Sequence, residues 1–376
     1  MRSRDTTPDQ RLGALLALLL ALVALAAPSA QAQSDWPSFR GGPEMTGVAR
    51  ETLPARPRLL WTYRASGPIE ATAAIVGDTV YVGTRDGELL AIRLADGKRR
   101  WRFRTKNPIS ASPCVSGSVV AVGDEAGTFW AVNRTTGKLL WKYETGGKIA
   151  SSATAIPGAF LVGAYDNTLY CLDARSGKPR WKFEADAQVH CAPCVAGGTA
   201  IIAGCDGKVR MINMQTGQQR AAATVGANMA CAPAHRVGVV YVGTMDGQYV
   251  AVRVKDGHIV WKVKESGEGG CYASAAVVGN AVVFASRSRR ILCADAATGR
   301  TRWSFRTKGD VDSSPVVAGG TVFAGSGEGV LYALRLADGK KVWQFAAGGA
   351  IKASPAIARG RLVIGNDDGA LYCFGK

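Results

Sequence analysis

Histidine is scarce in this chain, with three residues among 376. They are His190, His235 and His258, which fall at different positions of the repeat described below, so no histidine-based metal site is predicted at His190. Helical periodicity is also missing, because no stretch after residue 58 repeats apolar residues every three or four positions. These absences argue against a helical protein and direct attention to short strands.

The longest apolar run covers residues 12–27 and is too short for an ordinary membrane span. Arginines precede it and Ala30-Gln31-Ala32 follows it, so residues 1–32 are predicted to be a signal peptide cleaved near Ala32. An uncleaved anchor is the alternative. The first cysteine is Cys114, so a bacterial lipid anchor is not expected. The chain is therefore predicted to be periplasmic or secreted.

Tryptophan recurs with a period of 40 residues, the length of a repeated supersecondary unit. Ala221 occupies one slot of the series and a two-residue insertion lies in residues 266–270. The tryptophans of the series are Trp61, Trp101, Trp141, Trp181, Trp261, Trp303 and Trp343. Each unit reads as four short strands separated by Asp-Gly or similar turns, which indicates a four-stranded antiparallel sheet.

Eight such units follow one another, but the last ends at Lys376 without a tryptophan strand of its own. The strand at residues 59–63 precedes the first unit and can supply the missing one. The sequence therefore predicts an all-β, eight-bladed β-propeller over residues 59–376, closed by its N-terminal strand. Residues 33–58 form an irregular, Pro/Gly-rich segment in which Trp36 and Phe39 are expected to pack onto the propeller as a lid or plug.

The order of strands within a blade also follows from the residues. Prolines recur in the first strand of several units, as at Pro113, and proline favours an edge strand, so the first strand is predicted to line the channel. The tryptophan strand carries lysine and arginine, which suits the outer edge. Each tryptophan is expected to pack between blades on the small residue at Ala91 or its equivalent. The glycines of the preceding turn, such as Gly97 and Gly137, are expected to adopt positive φ.

Together, the motifs Val-Tyr-Val-Gly, Asp-Gly, Leu-Tyr-Ala-Leu, Thr-Gly-Lys and Trp resemble the repeat of pyrroloquinoline-quinone (PQQ)-type propellers, as residues 149–181 and 311–343 illustrate. That superfamily includes quinone-dependent dehydrogenases and the BamB-type outer-membrane assembly factors, which bind no cofactor. The resemblance therefore implies a fold and leaves function open.

Two absences count against the enzyme branch. The dehydrogenases share an adjacent Cys-Cys pair that stacks on the quinone, and this chain has no Cys-Cys dipeptide. They also carry long loops between blades, whereas only two residues are inserted here. Catalytic, cofactor-binding and metal-binding residues are therefore not predicted, and PQQ with calcium is kept only as the alternative cofactor set.

The nine cysteines are mostly predicted to be small core residues. Cys191-Ala-Pro-Cys194 looks like a redox or zinc pair, but residues i and i+3 of a strand point to opposite faces. A disulfide between Cys191 and Cys231, or one that uses Cys271, is left open.

One position at the start of the first strands is polar in most blades, whereas its neighbours are small or apolar. Its polar members are predicted to ring one mouth of the channel as a candidate binding site, either for a ligand or partner or as solvated residues joined in ion pairs. The candidate ring is Glu70, Ser110, His190, Tyr272, Asp312 and Lys352. An ion-pair network of Glu70, Asp312 and Lys352, in which Lys352 lies next to both carboxylates, is the alternative explanation of these three residues.

The formal charge is +17 and stays at +16 without the leader. Cations alternate with aromatics on the tryptophan strands, as in nucleic-acid surfaces, but an exported chain is expected to bind no nucleic acid and to use these cations for edge protection. The sequence predicts a monomeric, non-enzymatic scaffold that binds an envelope protein. A PQQ-dependent dehydrogenase and a binder of anionic polysaccharide or lipid are the alternatives.

Overall fold

The structure is a computed structural model that describes residues 34–265, 267 and 269–376. The predicted leader at residues 1–32 lies outside the described residues. Eight four-stranded antiparallel sheets make up the unit from Asp35 to Lys376. The only helix in the described part of the chain is a 3-10 turn at Phe39–Gly41. Nothing in these residues forms an apolar helix of membrane-spanning length.

Each blade is one sheet, and the strands are numbered in chain order. The closing strand is β1 (Arg58–Arg64). Blade 1 contains β2 (Ala74–Val76), β3 (Thr79–Gly83), β4 (Glu88–Arg93) and β5 (Arg99–Arg104), and blade 2 contains β6 (Cys114–Ser116), β7 (Val119–Gly123), β8 (Thr128–Asn133) and β9 (Leu139–Glu144). Blade 3 contains β10 (Thr154–Ile156), β11 (Ala159–Gly163), β12 (Thr168–Asp173) and β13 (Pro179–Glu184), and blade 4 contains β14 (Cys194–Ala196), β15 (Thr199–Ala203), β16 (Lys208–Asn213) and β17 (Gln219–Thr224). Blades 5 to 8 are β18 (Ala234–Arg236), β19 (Val239–Gly243), β20 (Gln248–Arg253), β21 (Ile259–Lys264); β22 (Ala276–Val278), β23 (Ala281–Ser286), β24 (Arg290–Asp295), β25 (Thr301–Arg306); β26 (Val316–Ala318), β27 (Thr321–Gly325), β28 (Val330–Arg335), β29 (Lys341–Ala346); β30 (Ala356–Ala358), β31 (Arg361–Gly365) and β32 (Ala370–Gly375).

The ring closes as the sequence predicts. Strand β1 pairs antiparallel with β32, from Arg58 opposite Gly375 to Arg64 opposite Ala370, and completes the sheet that β30 and β31 begin. The eighth blade is thus built from both ends of the propeller. The eight-bladed fold and its N-terminal closing strand are confirmed.

The first strand of each blade lies innermost. Each first strand is at one edge of its sheet, and β2 contacts the first strands of both neighbouring blades, β6 and β30. The second strand is the core of the blade, since every residue of β3 is buried, whereas β5 alternates between exposed and half-buried positions. One detail was wrong: Pro113 and its equivalents lie immediately before the first strand, because that strand has only three residues.

The tryptophans pack between blades as predicted, but their rings do not lie on the predicted small residue, Ala91 or its equivalent. Ala91 is the cross-strand neighbour of Trp101 in its own blade. The indole ring lies on Gly137 in the last turn of the next blade, and its Nε1 donates to the Arg134 carbonyl of that turn at 2.9 Å. Gly137 has φ of 69°, so the predicted positive φ is confirmed. A side chain at this turn would occupy the place of the indole.

The predicted plug is an ordered segment that crosses one end of the channel. Trp36 is buried and exchanges two backbone hydrogen bonds with Ile75 of β2. Further along, carbonyls of this segment accept N–H bonds from the inner strands of five more blades. These bonds join Pro37 to Val115, Pro43 to Val195, Glu44 to His235, Thr46 to Val277 and Gly47 to Val317. Residues 36–49 therefore floor the channel, and we call them the floor segment.

Candidate functional site: a floored cup on the propeller axis

The channel forms a cup of about 230 Å³. Its wall brings together all six residues of the predicted ring, from Glu70 in blade 1 to Lys352 in blade 8, with Phe39 of the floor segment also lining it. Lys352 is exposed and the remaining ring residues are half-buried, so the ring lies at the solvent end. A single cup thus presents one polar side chain from each of six blades.

Ion pairs tie the mouth together across blades 8, 1, 2 and 3. Glu70 Oε1 lies 2.8 Å from Lys352 Nζ, and Lys352 also bonds Asp367 at 2.9 Å. These two carboxylates raise the pKa of Lys352. The network runs through Lys148, Glu125, Arg85, Glu70, Lys352 and Asp367. It contains three cations and three carboxylates, so it is balanced in charge.

The expected pairing of Asp312 with Lys352 was wrong. Asp312 instead makes a two-pronged pair with Arg287, with distances of 2.8 and 2.9 Å. The same guanidinium lies 3.6 Å from the ring centre of Tyr272, a close cation–π contact. Arg287 follows the second strand of blade 6 and reaches the mouth from a turn, which is why a comparison limited to first-strand positions missed it.

His190 faces Tyr165 across the boundary between blades 4 and 3. Tyr165 Oη and His190 Nδ1 are 2.6 Å apart. Burial, and next the charge of Lys148, lower the pKa of His190, whereas burial raises the pKa of Tyr165. At neutral pH the pair is therefore a neutral hydrogen bond rather than an ion pair.

A belt of hydroxyl groups lies deeper in the cup. The backbone N–H of one blade donates to the hydroxyl of the next, as Ser112 N does to Ser152 Oγ at 2.9 Å. The belt hydroxyls belong to Thr72, Ser112, Ser152, Ser274, Ser314 and Ser354. Ala192 and Ala232 interrupt the belt in blades 4 and 5. The sequence signal is a Ser or Thr two positions after the ring position in six of the eight blades, where the pattern predicts only small residues.

Arg40 is fully buried beneath the cup. Its Nη2 donates to the carbonyls of Ala275 and Pro315 at 2.8 and 2.7 Å, while its Nε and Nη1 have no partner. Burial lowers the pKa of Arg40 to about 9. The guanidinium thus ties the floor segment to blades 6 and 7 without forming an ion pair.

All nine cysteines are free thiols in the structure. Cys191 lies before β14 and Cys194 begins it, and the two thiols face different carbonyls, those of Met229 and Glu44. Cys231 both donates to and accepts from the backbone of Gly243. The bridge left open between Cys191 and Cys231, or with Cys271, is therefore not formed here.

The residues of the cup do not fit a quinone with calcium. The chain has no adjacent cysteines, and the two ring carboxylates, Glu70 and Asp312, are each held by cations. Within residues 34–265, 267 and 269–376, no three His, Cys, Asp or Glu side chains are grouped to hold a metal ion. The chain therefore lacks the stacking pair that the resemblance implies for this cofactor.

Three solved structures of different kinds are similar to this fold. BamB from Moraxella catarrhalis is 18% identical, with a TM-score of 0.75 over 85% of this chain and 98% of that one. Quinohemoprotein alcohol dehydrogenase from Comamonas testosteroni is 14% identical, with a TM-score of 0.78 over 91% and 80%. The computationally designed protein Ika8 is 16% identical, with a TM-score of 0.75 over 85% and 100%. At these identities the likeness shows the fold alone.

Sequence comparison goes further. A search of curated proteins gives no match. The family model described as outer membrane protein assembly factor BamB matches three consecutive segments, residues 48–160, 154–267 and 260–375. These segments span the floor segment's end and nearly the whole propeller. The chain therefore belongs to the family of the outer membrane protein assembly factor BamB.

Proposed function

We propose that the chain is an exported, non-enzymatic propeller that binds a protein partner and serves as an assembly scaffold in the cell envelope. The observation that carries this proposal is the family match from residue 48 to residue 375, because that family is named for an assembly factor of the outer membrane. The predicted leader would export the chain, which places it in the same compartment as such a partner.

The connections between strands support a scaffold rather than an enzyme. The turn from β3 to β4 spans only residues 84–87, and the other blades repeat this length with little variation. These turns within a blade are short, and the longer connections between blades, such as residues 105–113, carry the residues of the ring and the belt. Short, rigid connections preserve a fixed surface, as expected of a binding scaffold.

Cross-linking in cells tests the proposal. A chain with an affinity tag after Lys376 is cross-linked in living cells and purified from the envelope in about 0.5 M salt, where screening removes long-range charge effects. We expect one discrete envelope protein to copurify. A variant without residues 1–32 serves as the matched control and should lose that protein, because it stays in the cytoplasm.

The alternatives predict other results. Retention on anionic polysaccharide or lipid that disappears at high salt, with no copurified protein, would indicate that the +16 charge does the binding and would contradict the scaffold. Quinone-dependent oxidation of an alcohol or sugar would place the chain among the enzymes instead.

A further inference from the structure

The hydroxyl belt leaves hydrogen-bond donors unused inside the cup. A hydroxyl can donate one hydrogen bond and accept two. Each belt hydroxyl accepts an N–H bond from the preceding blade, but no described residue accepts its own proton. Ser110 Oγ lies higher on the same wall of the cup. Since buried donors are rarely left without an acceptor, the occupant of the cup has to supply acceptors.

The opposite wall is apolar. Ala192 and Ala232 stand where the other blades have hydroxyls, and the ring positions above them are His190 in blade 4 and Ala230 in blade 5. Phe39 packs against the core of blades 4 and 5 and lines the cup on this side. The cup therefore has an arc of hydroxyl groups on six blades that faces an apolar and aromatic surface on the other two.

The charged groups at the mouth of the cup are already compensated, so they do not favour binding of an ion. The cations and carboxylates of the ion pairs at the mouth are equal in number, and His190 is neutral, so an ion entering the mouth meets no free counter-charge there. The volume of about 230 Å³ lies below the roughly 300 Å³ at which sites for drug-sized ligands begin. The cup accommodates one small ring.

We propose that the cup is a binding site for a neutral polyhydroxylated ring, such as the terminal sugar of a glycan. A pyranose has hydroxyl groups at its edge, which match the hydroxyl arc, and an apolar C–H face, which matches Phe39 and the two alanines. Its hydroxyls can replace ordered water without losing hydrogen bonds. This role goes beyond protein binding and does not depend on it.

Ligand-observed NMR with glucose, galactose, N-acetylglucosamine and inorganic phosphate, added separately to the full mature chain, tests the site. We expect at least one sugar to bind and phosphate not to bind. Because the ligand is neutral, its affinity should stay the same between about 0.05 and 0.5 M salt. A site that bound phosphate alone, or a sugar signal that disappeared with salt, would overturn the proposal, as would a chain that bound none of the four probes.

Substitutions locate the binding. Ala150→Trp fills the mouth from a ring position and should weaken sugar binding at least tenfold. Ala222→Trp places the same side chain on the exposed face of β17 and should leave binding unchanged. Ser110→Ala removes a ring hydroxyl from the cup wall and should weaken binding about fivefold, the effect of one hydrogen bond. Equal binding by the wild type and both cup variants, with unchanged melting temperatures, would place the sugar elsewhere and contradict the proposal.

Discussion

At the scale of single residues, the glycine in the last turn meets two demands at once in six of the eight blades. Gly137 has φ of 69°, and a Cβ there would lie 2.7 Å from the Trp101 ring. Gly77 has φ of 61°, yet a Cβ there would meet nothing within 4 Å. The two positions therefore separate backbone strain from overlap with the indole.

Alanine at these positions should have unequal effects. Gly77→Ala is expected to lower the free energy of unfolding by about 1 kcal/mol through left-handed strain alone. Gly137→Ala is expected to lower it by about 3 kcal/mol, because overpacking against Trp101 adds to that strain. Urea unfolding of both variants measures the difference, and equal losses would show that the tryptophan does not rest on the turn.

A pH effect is expected from His190. Burial and Lys148 hold its native pKa below the ordinary 6.5, so below pH 6.5 the unfolded chain binds a proton that the native chain does not. The free energy of unfolding should therefore fall as the pH drops below 6.5, until the native pKa is passed. His190→Gln should reduce this dependence, measured by urea unfolding at a series of pH values. His258→Gln, in an exposed turn, is the control, and identical pH profiles for the two variants would contradict the account.

At the scale of elements, hydrogen bonds to β32 hold the closing strand β1 in the eighth blade, because no hairpin turn joins these two strands. Ala65 N–H donates to the Gly369 carbonyl, and bonds in an antiparallel pair alternate, so Tyr63 N–H faces Leu371 of β32 whereas Thr62 N–H points away. The eighth blade is thus held shut by alternate residues of β1.

Proline substitutions test this closure. Tyr63→Pro removes a bond to β32 and should lower the free energy of unfolding by about 3 kcal/mol or more. Thr62→Pro removes an N–H on the open edge of the blade and should cost much less. Unfolding by urea, followed by tryptophan fluorescence, compares them. A loss from Thr62→Pro as large as that from Tyr63→Pro would mean that β1 does not close the ring as described.

The strands and their order were the features of the structure that the sequence predicted best. Turn chemistry and the 40-residue period identify the strands and the closing strand, because these are local signals repeated eight times. The path of the floor segment could not be predicted, since Pro37 and Glu44 bond inner strands through their carbonyls, which every residue has. The pairing of Asp312 with Arg287 could not be predicted either, because Arg287 lies in a turn after a second strand and the ring was identified from positions near the first strands.

At the scale of the whole molecule, the channel of the propeller has one closed end and one open end. The floor segment closes one end of the channel, the ion-paired mouth stays open at the other, and the cup lies between them. The six ring residues were predicted to share one mouth, and the structure brings them to one cup. The hydroxyl belt below them was missed, because serine in a crowded strand is equally typical of simple packing.

The central claim is that this propeller binds without quinone chemistry, and reconstitution tests it most directly. The purified mature chain is incubated with PQQ and Ca²⁺, passed through a desalting column, and assayed for bound quinone by absorbance and for dye-linked oxidation of alcohols and sugars. The account predicts that no stoichiometric quinone is retained and that no oxidation occurs. Retention of one quinone per chain with turnover of a substrate would contradict it.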